Sequence, residues 1–128
     1  MKLKERIIVY KNDIPVAEVK RCDSSLDTGI GLLGTPELNK KNGIHDGILM
    51  PIPEYRKKFK GFINSIHMIG MKYPISVFWL DEEGFVVDSA YAVPGFHIYS
   101  PKKPSANILE LDRSAIDDIQ TGDRLELR

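Results

Sequence analysis

The chain is poor in the residues that build metal sites and disulfides. It contains one cysteine, Cys22, and three histidines, at positions 45, 67 and 97, among 128 residues. A single cysteine excludes an intramolecular disulfide and leaves a zinc site without a second thiolate. The histidines have no ligand spacing such as His-x-x-x-His. We therefore expect no metal and no cofactor.

Net charge and long apolar runs are absent as well. Eighteen basic residues balance eighteen acidic ones, so no overall field attracts nucleic acid. The stretch 61–80 is poor in charge, but Asn64, Lys72 and Pro74 argue against a membrane span and favour strands. The N-terminus has only four successive apolar residues, too few for a signal peptide. We expect a single domain over residues 1–128, cytoplasmic and without membrane contact.

Short apolar runs separated by turn residues indicate a β-rich fold. Runs 75–80 and 85–93 flank Asp81–Gly84 and predict a hairpin. The first run is apolar on both faces, which predicts a central strand with Trp79 buried. A second hairpin is predicted over 6–10 and 14–20, with Pro15 placing the start of its second strand at an edge. Further strands are predicted at 47–52, 62–71, 107–111 and 124–128.

Other stretches predict loops and short helices. Residues 22–34 predict one helical turn and then a loop with Leu32 and Leu33 buried, and 35–46 predict a polar surface loop. Ser114 begins a helix as its N-cap, which Gly122 ends. Together the patterns predict a mainly β fold, a small antiparallel, closed or nearly closed β-barrel with one or two short helices.

Several short segments follow one another in a distinctive order over about residues 16–128. They are Gly31-Leu-Leu33, Gly47–Ile52, Ile66-His-Met68, Pro74–Val87, Tyr99-Ser100, Pro104–Ala106, Leu109-Glu-Leu111 and Gly122-Asp123. In this order they resemble the domain of unknown function 192 family. The resemblance implies a small β-barrel whose activity is not established.

The chain departs from the family where polar residues are expected. His67 stands where the family usually has Trp, and Gly70-Met71 replaces an Asn-Thr pair. Ser76 replaces an Asp, and Thr28 replaces an Arg. A polar site built from those residues would be mostly missing, so the resemblance carries no activity over to this chain.

Four side chains are the candidates for a ligand-binding wall: His67, Met71, Ser76 and Tyr99. They favour a non-enzymatic module that binds a small molecule or another protein, as a monomer or a dimer. The alternative is an enzyme using His67 with a carboxylate from another strand. No catalytic residue is assigned, and the enzyme question stays open.

A basic segment raises a further alternative, weak binding of single-stranded nucleic acid through residues 56–62. Its candidate residues interleave positive charge with an aromatic ring. The run beginning at Lys60 starts like an RNA-recognition motif, but Ile63 and Asn64 break the pattern. A solvated basic loop is the preferred interpretation, and nucleic acid is an unlikely partner. The candidates are Arg56, Lys57, Lys58, Lys60 and Phe62.

The remaining polar residues are interpreted structurally. His45 and Asp46 are predicted to lie in a plain surface loop. The acidic run Asp81–Glu83 is expected to be a solvated hairpin tip, with carboxyl groups unsuited to acid–base work at neutral pH. Cys22 is interpreted as a small buried side chain.

Overall fold

The backbone forms mostly short strands. A computed structural model describes residues 5–22 and 36–128, and excludes the side chain of Phe62. The prediction for residues 22–34 therefore lies, beyond Cys22, outside the described residues. Three 3₁₀ helices are described, Glu54–Arg56, Gly61–Asn64 and Arg113–Asp117. The strands are β1 Arg6–Lys11, β2 Ile14–Arg21, β3 His45–Pro51, β4 Ile66–His67, β5 Ile75–Leu80, β6 Val86–Ala92, β7 Ile98–Tyr99, β8 Asn107–Leu111 and β9 Glu126–Leu127.

Seven strands form one sheet in the order β6-β5-β8-β3-β2-β1-β9, and β4 pairs with β7 in a separate two-stranded ribbon. The mainly β prediction is confirmed, but the purely antiparallel one is wrong. Strands β2 and β3 run parallel, with Ala17 opposite His45 and Arg21 opposite Leu49. A parallel pair needs a long crossover connection, and here the chain between residues 21 and 45 supplies it. The sheet is therefore mixed.

The sheet curls into a half-barrel and does not close, which corrects the prediction of a closed or nearly closed barrel. Its edge strands, β6 and β9, meet only through the turn that precedes β9. There the Leu125 N–H donates to Gly84 O at 2.9 Å, and the Val86 N–H donates to Asp123 O at 2.8 Å. Gly84 is required at this approach, because a Cβ there would overlap the Leu125 carbonyl. Strand β9 itself pairs with β1, so within residues 5–22 and 36–128 no continuous ladder joins the edges.

Each face of the sheet carries its own hydrophobic core, and β5 contributes to both. Phe78 and Leu80 belong to the first core, which also holds Val9, Leu109 and Leu111. Val77 and Trp79 belong to the second core, with Met50, Met68 and Ile108. The prediction that β5 is covered on both faces is confirmed, since all six of its residues are buried. However, β5 lies next to the edge strand, and the middle position belongs to β3.

Trp79 is buried, as predicted. Its side chain is 1% exposed, and the indole N–H donates to the backbone oxygen of Asn64 at 3.0 Å. That bond ties the second core to the 3₁₀ helix Gly61–Asn64. The strand predicted over 62–71 is therefore wrong for the most part, because only Ile66–His67 extend it as β4.

Both predicted hairpins form. Strands β5 and β6 pair from Ile75 with Ala92 to Leu80 with Val86. In the first hairpin, Asn12 and Asp13 take positive φ angles of 53° and 64° between β1 and β2. The parallel ladder with β3 begins only at Ala17, so the start of β2 lies at an edge, as its proline predicted.

The predicted helix at Ser114 is a short 3₁₀ turn. Its N-cap is Asp112, whose side chain accepts a hydrogen bond from the Ser114 N–H, and its C-cap is Asp118. The helix therefore ends well before Gly122. It packs across the end of the first core, where Ala115 is fully buried.

No helix in the described ranges, 5–22 and 36–128, has the length and apolarity that a membrane crossing requires.

Candidate functional site

The four predicted ligand-binding side chains lie on two sides of the sheet. Met71 and Tyr99 pack against the second core, and the Tyr99 hydroxyl accepts the Val93 N–H at 2.9 Å. Ser76 shares the opposite face of β5 with Phe78, since alternate residues of a strand point the same way. The sheet therefore separates Ser76 from Met71 and Tyr99. Ligand binding by these residues stays a prediction.

The Ser76 hydroxyl has backbone partners on the 3₁₀ helix Arg113–Asp117. It donates to Arg113 O at 3.0 Å and accepts the Ile116 N–H at 2.8 Å. The side chain is completely buried. In this chain the hydroxyl fastens the helix to β5.

The ribbon β4–β7 exposes an apolar face. Tyr99 lies opposite Ile66, and Ile98 lies opposite His67. The Gly95 N–H donates to Met68 O at 3.3 Å, so the two segments stay close beyond the paired residues. Opposed residues share a face, and successive residues change face. His67 and Ile98 therefore share the outward face of the ribbon, and the exposed Ile69 and Phe96 lie in the turn and the bend next to them. We call these four residues the ribbon patch.

Solvent exposure agrees with this assignment. Phe96 is 88% exposed, Ile98 54% and Ile69 46%, whereas Ile66 and Met68 are buried. His67 is half-buried, and its Nδ1 atom accepts the Ile69 N–H at 3.3 Å. The predicted alternation therefore holds for Ile66 and His67, which form β4. It does not extend to Ile69 or Met71, which lie beyond β4, and Met71 packs against the second core.

A second polar centre was missed by sequence reasoning. His45 is 2% exposed and begins β3, so its assignment to a surface loop is wrong. Its Nδ1 atom lies 3.0 Å from Asp112 Oδ1, and its Nε2 atom lies 2.7 Å from Asp118 Oδ2. These three residues form what we call the His45 clamp. The only sequence signal was His45-Asp46 beside an apolar run, and its partners lie 67 and 73 residues away in the chain.

The clamp holds its carboxylates in the ionised form. Burial alone would raise the pKa of Asp112, but hydrogen bonds from Ser114, the Asp46 N–H and His45 outweigh it and lower that pKa. The pKa of Asp118 is lowered chiefly by its hydrogen bond with His45, with Lys40 adding to the effect. Both ring nitrogens of His45 therefore lie within hydrogen-bond distance of a carboxylate.

The clamp has the geometry of a structural link. It joins the start of β3 to the end of β8 and to the C-cap of the 3₁₀ helix Arg113–Asp117. Both ring nitrogens of His45 are occupied, so neither is available to a substrate. A general base needs a nitrogen within reach of the proton it removes.

Three side chains of the basic segment, residues 56–62, interact with groups of neighbouring residues. The Arg56 guanidinium donates to Ile63 O, and the Lys57 ammonium lies 3.0 Å from Glu54 and 3.6 Å from Glu82. The hydrogen bond with Glu54 is the main cause of the raised pKa of Lys57. Lys58 lies over the Phe59 ring at 5.6 Å from its centroid. The side chain of Phe62 lies outside the described part of the chain.

This segment forms one wall of an open cleft of about 410 Å³. Four carboxylates line the cleft beside two lysines, so its charge disfavours a polyanion. The hairpin tip on the opposite wall is capped by Asp81, whose carboxylate accepts the N–H groups of Glu83 and Phe85. The lining residues are Glu54, Lys57, Lys58, Asp81, Glu82, Glu83, Pro104, Ser105 and Ala106.

Glu110 is the most unusual ionisable residue of the sheet. It is 4% exposed on β8, and burial raises the pKa of its carboxyl group to about 8. It lies opposite Ile48 on β3 and Val77 on β5, both members of the second core. Nothing in its local sequence, Leu109-Glu-Leu111, distinguishes it from a residue on the solvated face of a strand.

The sequence profile of the domain of unknown function 192 family, described as "Uncharacterized ACR", matches residues 7–127. The chain belongs to this family. No curated protein matches the chain.

Two solved structures share the fold of this family member. One, described as a "putative transcription regulator", comes from Sinorhizobium meliloti 1021, with a TM-score of 0.73 and 19% identity, covering 98% of this chain and 94% of that one. The other, described as a protein of unknown function, comes from Novosphingobium aromaticivorans DSM 12444. Its TM-score is 0.71 at 16% identity, covering 96% of this chain and 84% of that one.

The departures from the family pattern can now be located. Ser76, in place of the family's Asp, bonds to backbone groups of the 3₁₀ helix Arg113–Asp117. His67, in place of Trp, lies on the ribbon patch beside Ile69. Thr28, in place of Arg, lies outside the described residues. In this member of the family, Ser76 therefore supports packing of the helix on β5, and His67 lies on an apolar surface.

Proposed function

We propose that this member of the domain of unknown function 192 family is a protein-interaction module that docks another protein on the ribbon patch. The observation that carries the proposal is the exposure of Phe96, 88%, together with that of Ile98 on the ribbon and Ile69 in the adjoining turn. Large apolar side chains that cluster in this way mark interaction surfaces more often than scattered ones do.

The chemistry of the patch suits a protein partner. Its residues are two isoleucines, one phenylalanine and one histidine, with no lysine, arginine or carboxylate among them. The centres of protein interfaces are depleted in charge and enriched in aromatic residues. Burial of apolar surface releases about 25 cal/mol per Å², so the exposed Phe96 ring has most to contribute on docking.

The other functions have weaker support. An enzyme would need a titratable pair open to a cleft, whereas the described His45 imidazole is buried and both its ring nitrogens already lie against carboxylates. The name of the Sinorhizobium protein suggests a role at nucleic acid, but its 19% identity bears on the fold alone. The lysines of the basic segment face carboxylates across the cleft, which weakens a nucleic-acid role for residues 56–62.

Site-specific photocrosslinking tests the proposal. The photoreactive residue p-benzoylphenylalanine is placed at position 96 in the cells from which the chain derives. Position 85 is the matched control, because Phe85 is an exposed phenylalanine (41%) at the hairpin tip, away from the ribbon. Ile98→Asp is combined with the probe at 96 to place a charge in the patch.

We expect a discrete adduct with one protein from position 96, none from position 85, and its loss with Ile98→Asp. An adduct between two copies of the chain would identify the partner as the chain itself and equally supports docking on the patch. Adducts from 96 no stronger than those from 85, or adducts insensitive to Ile98→Asp, would overturn the proposal.

A further inference from the structure

The hydroxyl group of Ser105 is buried and has no protein partner among the described residues. The residue is 3% exposed, and no group in residues 5–22 and 36–128 forms a hydrogen bond with its Oγ atom. The buried hydroxyl of Ser76, by contrast, has two backbone partners. Burying a hydroxyl without a hydrogen bond costs stability. The Ser105 hydroxyl therefore keeps a capacity to bond that the described fold does not use.

Ser105 lies where a ligand can approach it, because it lines the open cleft between the basic segment and the hairpin tip. Its neighbour Ala106 holds the backbone in place. The Ala106 N–H donates to Leu80 O at 2.6 Å, and the Ala106 carbonyl accepts the Ile52 N–H at 2.8 Å. The cleft measures about 410 Å³, within the range of about 300–1,000 Å³ that is typical of small-molecule sites.

The charges around the cleft favour a cation. Its walls carry four carboxylates and two lysine ammonium groups, an excess of two negative charges. Lys57 is paired with Glu54 on its own wall and lies 3.6 Å from Glu82 on the opposite wall. The Asp81 carboxylate uses its Oδ1 atom to cap the hairpin tip. Two lysines cannot neutralise four carboxylates, so a ligand with two positive charges would balance the cleft.

We propose that this cleft binds an aliphatic diamine. One ammonium group donates a hydrogen bond to the Ser105 hydroxyl oxygen, and the other lies against the carboxylates of the hairpin tip. An ammonium group has three donors, and a serine hydroxyl can accept from it. A metal ion is a poorer occupant, because the described residues contain no group of three or more side chains placed to ligate one. The cleft shares no residue with the ribbon patch, so the site is independent of protein docking there.

An NMR titration with 1,4-diaminobutane tests the proposal. The matched probe is n-butylamine, which has the same chain length and a single charge. At low ionic strength, where screening is weak, we expect 1,4-diaminobutane to shift the amide resonances of Ser105 and Ala106 in a saturable way. We expect n-butylamine to bind roughly twofold to fivefold more weakly, because it lacks one exposed ion pair. Absence of these shifts, or equal affinities for the two amines, would overturn the proposal.

The variant Ser105→Ala separates binding from structure. Since the hydroxyl has no partner in the described part of the chain, its removal should not lower the midpoint of urea unfolding measured without diamine. The affinity for 1,4-diaminobutane should fall by roughly tenfold or more, as it does when a hydrogen bond to a charged group is lost. Ser76→Ala is the matched control, and we expect it to lower stability and leave the affinity unchanged. Unchanged affinity in Ser105→Ala, or a loss of stability as large as that of Ser76→Ala, would overturn the proposal.

A pair of glutamate variants tests the part played by the hairpin tip. Glu83→Gln removes one carboxylate of the cleft, and we expect it to weaken binding of 1,4-diaminobutane by roughly twofold to fivefold. Glu18→Gln removes an exposed carboxylate on β2, which is paired with Arg6, and should leave the affinity unchanged. Equal effects of the two variants would indicate a general attraction of the diamine to acidic surface and would contradict the assignment to the cleft.

Discussion

The Nε2 atom of His45 lies 2.7 Å from Asp118 Oδ2, although 73 residues separate the two in the chain. On the other side of the ring, Asp112 is as buried as His45 itself. The clamp therefore fastens the start of the middle strand to the segment that crosses the end of the first core. Its two carboxylates differ in environment, and this difference gives its first test.

Removal of His45 should destabilise the protein far more than removal of Asp118. His45→Ala leaves the buried Asp112 carboxylate without its hydrogen bond to the imidazole, a change that costs about 1–3 kcal/mol or more for a charged group. The Asp118 side chain is 47% exposed, so Asp118→Asn should cost only about 1 kcal/mol or less. Urea unfolding measures both. Equal losses would show that the clamp is not the buried link described above.

The clamp should also weaken in acid. The pKa of Asp112 is lower in the folded than in the unfolded chain, so its contribution is fully present above the unfolded value of about 3.9. It is lost as the pH falls through the folded pKa. Asp112→Asn should therefore show a flatter decline of unfolding free energy below about pH 4. An unchanged acid slope in this variant would contradict the prediction.

Glu110 should impose the opposite pH dependence. Its carboxyl ionises near 4.5 when unfolded and at about 8 when folded, so the folded state holds an extra proton between these values. Stability should then fall as the pH rises from 4.5 to 8, by a few kcal/mol in all. Glu110→Gln should remove this decline and be the more stable protein at pH 8. The matched variant Glu126→Gln should keep the decline of stability with rising pH. If the decline also persists in Glu110→Gln, its assignment to Glu110 is refuted.

Trp79 should report the integrity of the second core. Its 1% exposure and its hydrogen bond to Asn64 O predict an emission maximum well to the blue of a solvated indole, with little quenching by added iodide. Trp79→Ala should cost about 3–5 kcal/mol. Fluorescence and urea unfolding measure these effects, and a red-shifted, freely quenched indole would contradict the burial of β5.

Local sequence patterns predict the parts of the fold that depend on neighbouring residues. The β5–β6 hairpin was predictable because Gly84 and two apolar runs lie within twenty residues. The position of β3 in the sheet was not predictable in this way. Its parallel pairing with β2 depends on a long crossover connection, and no periodicity in the sequence marks that pairing. For β5, the burial of both faces was predicted correctly, whereas its position next to an edge strand was not.

The candidate sites divide in the same way. Alternation placed Ile66 and His67 on opposite faces of β4, but the exposure of Ile69 and Phe96 depends on how the chain folds back beside Met68. The His45 clamp required contacts between residues far apart in the chain. Glu110 was hidden because an acidic residue between two leucines is the ordinary pattern of a half-exposed strand, and only the layers around β8 show that both of its faces are covered.

Whether the ribbon patch binds a protein is decided by the affinity of the crosslinked partner for variants of the patch. With the partner purified, calorimetric titration compares Phe96→Ala with Phe85→Ala. Each variant shortens an exposed phenylalanine to alanine. We expect Phe96→Ala to weaken binding by about 2 kcal/mol or more, as truncation of a central aromatic residue does, while Phe85→Ala leaves the affinity within about 0.5 kcal/mol. Equal affinities of the two variants would contradict docking on the ribbon patch.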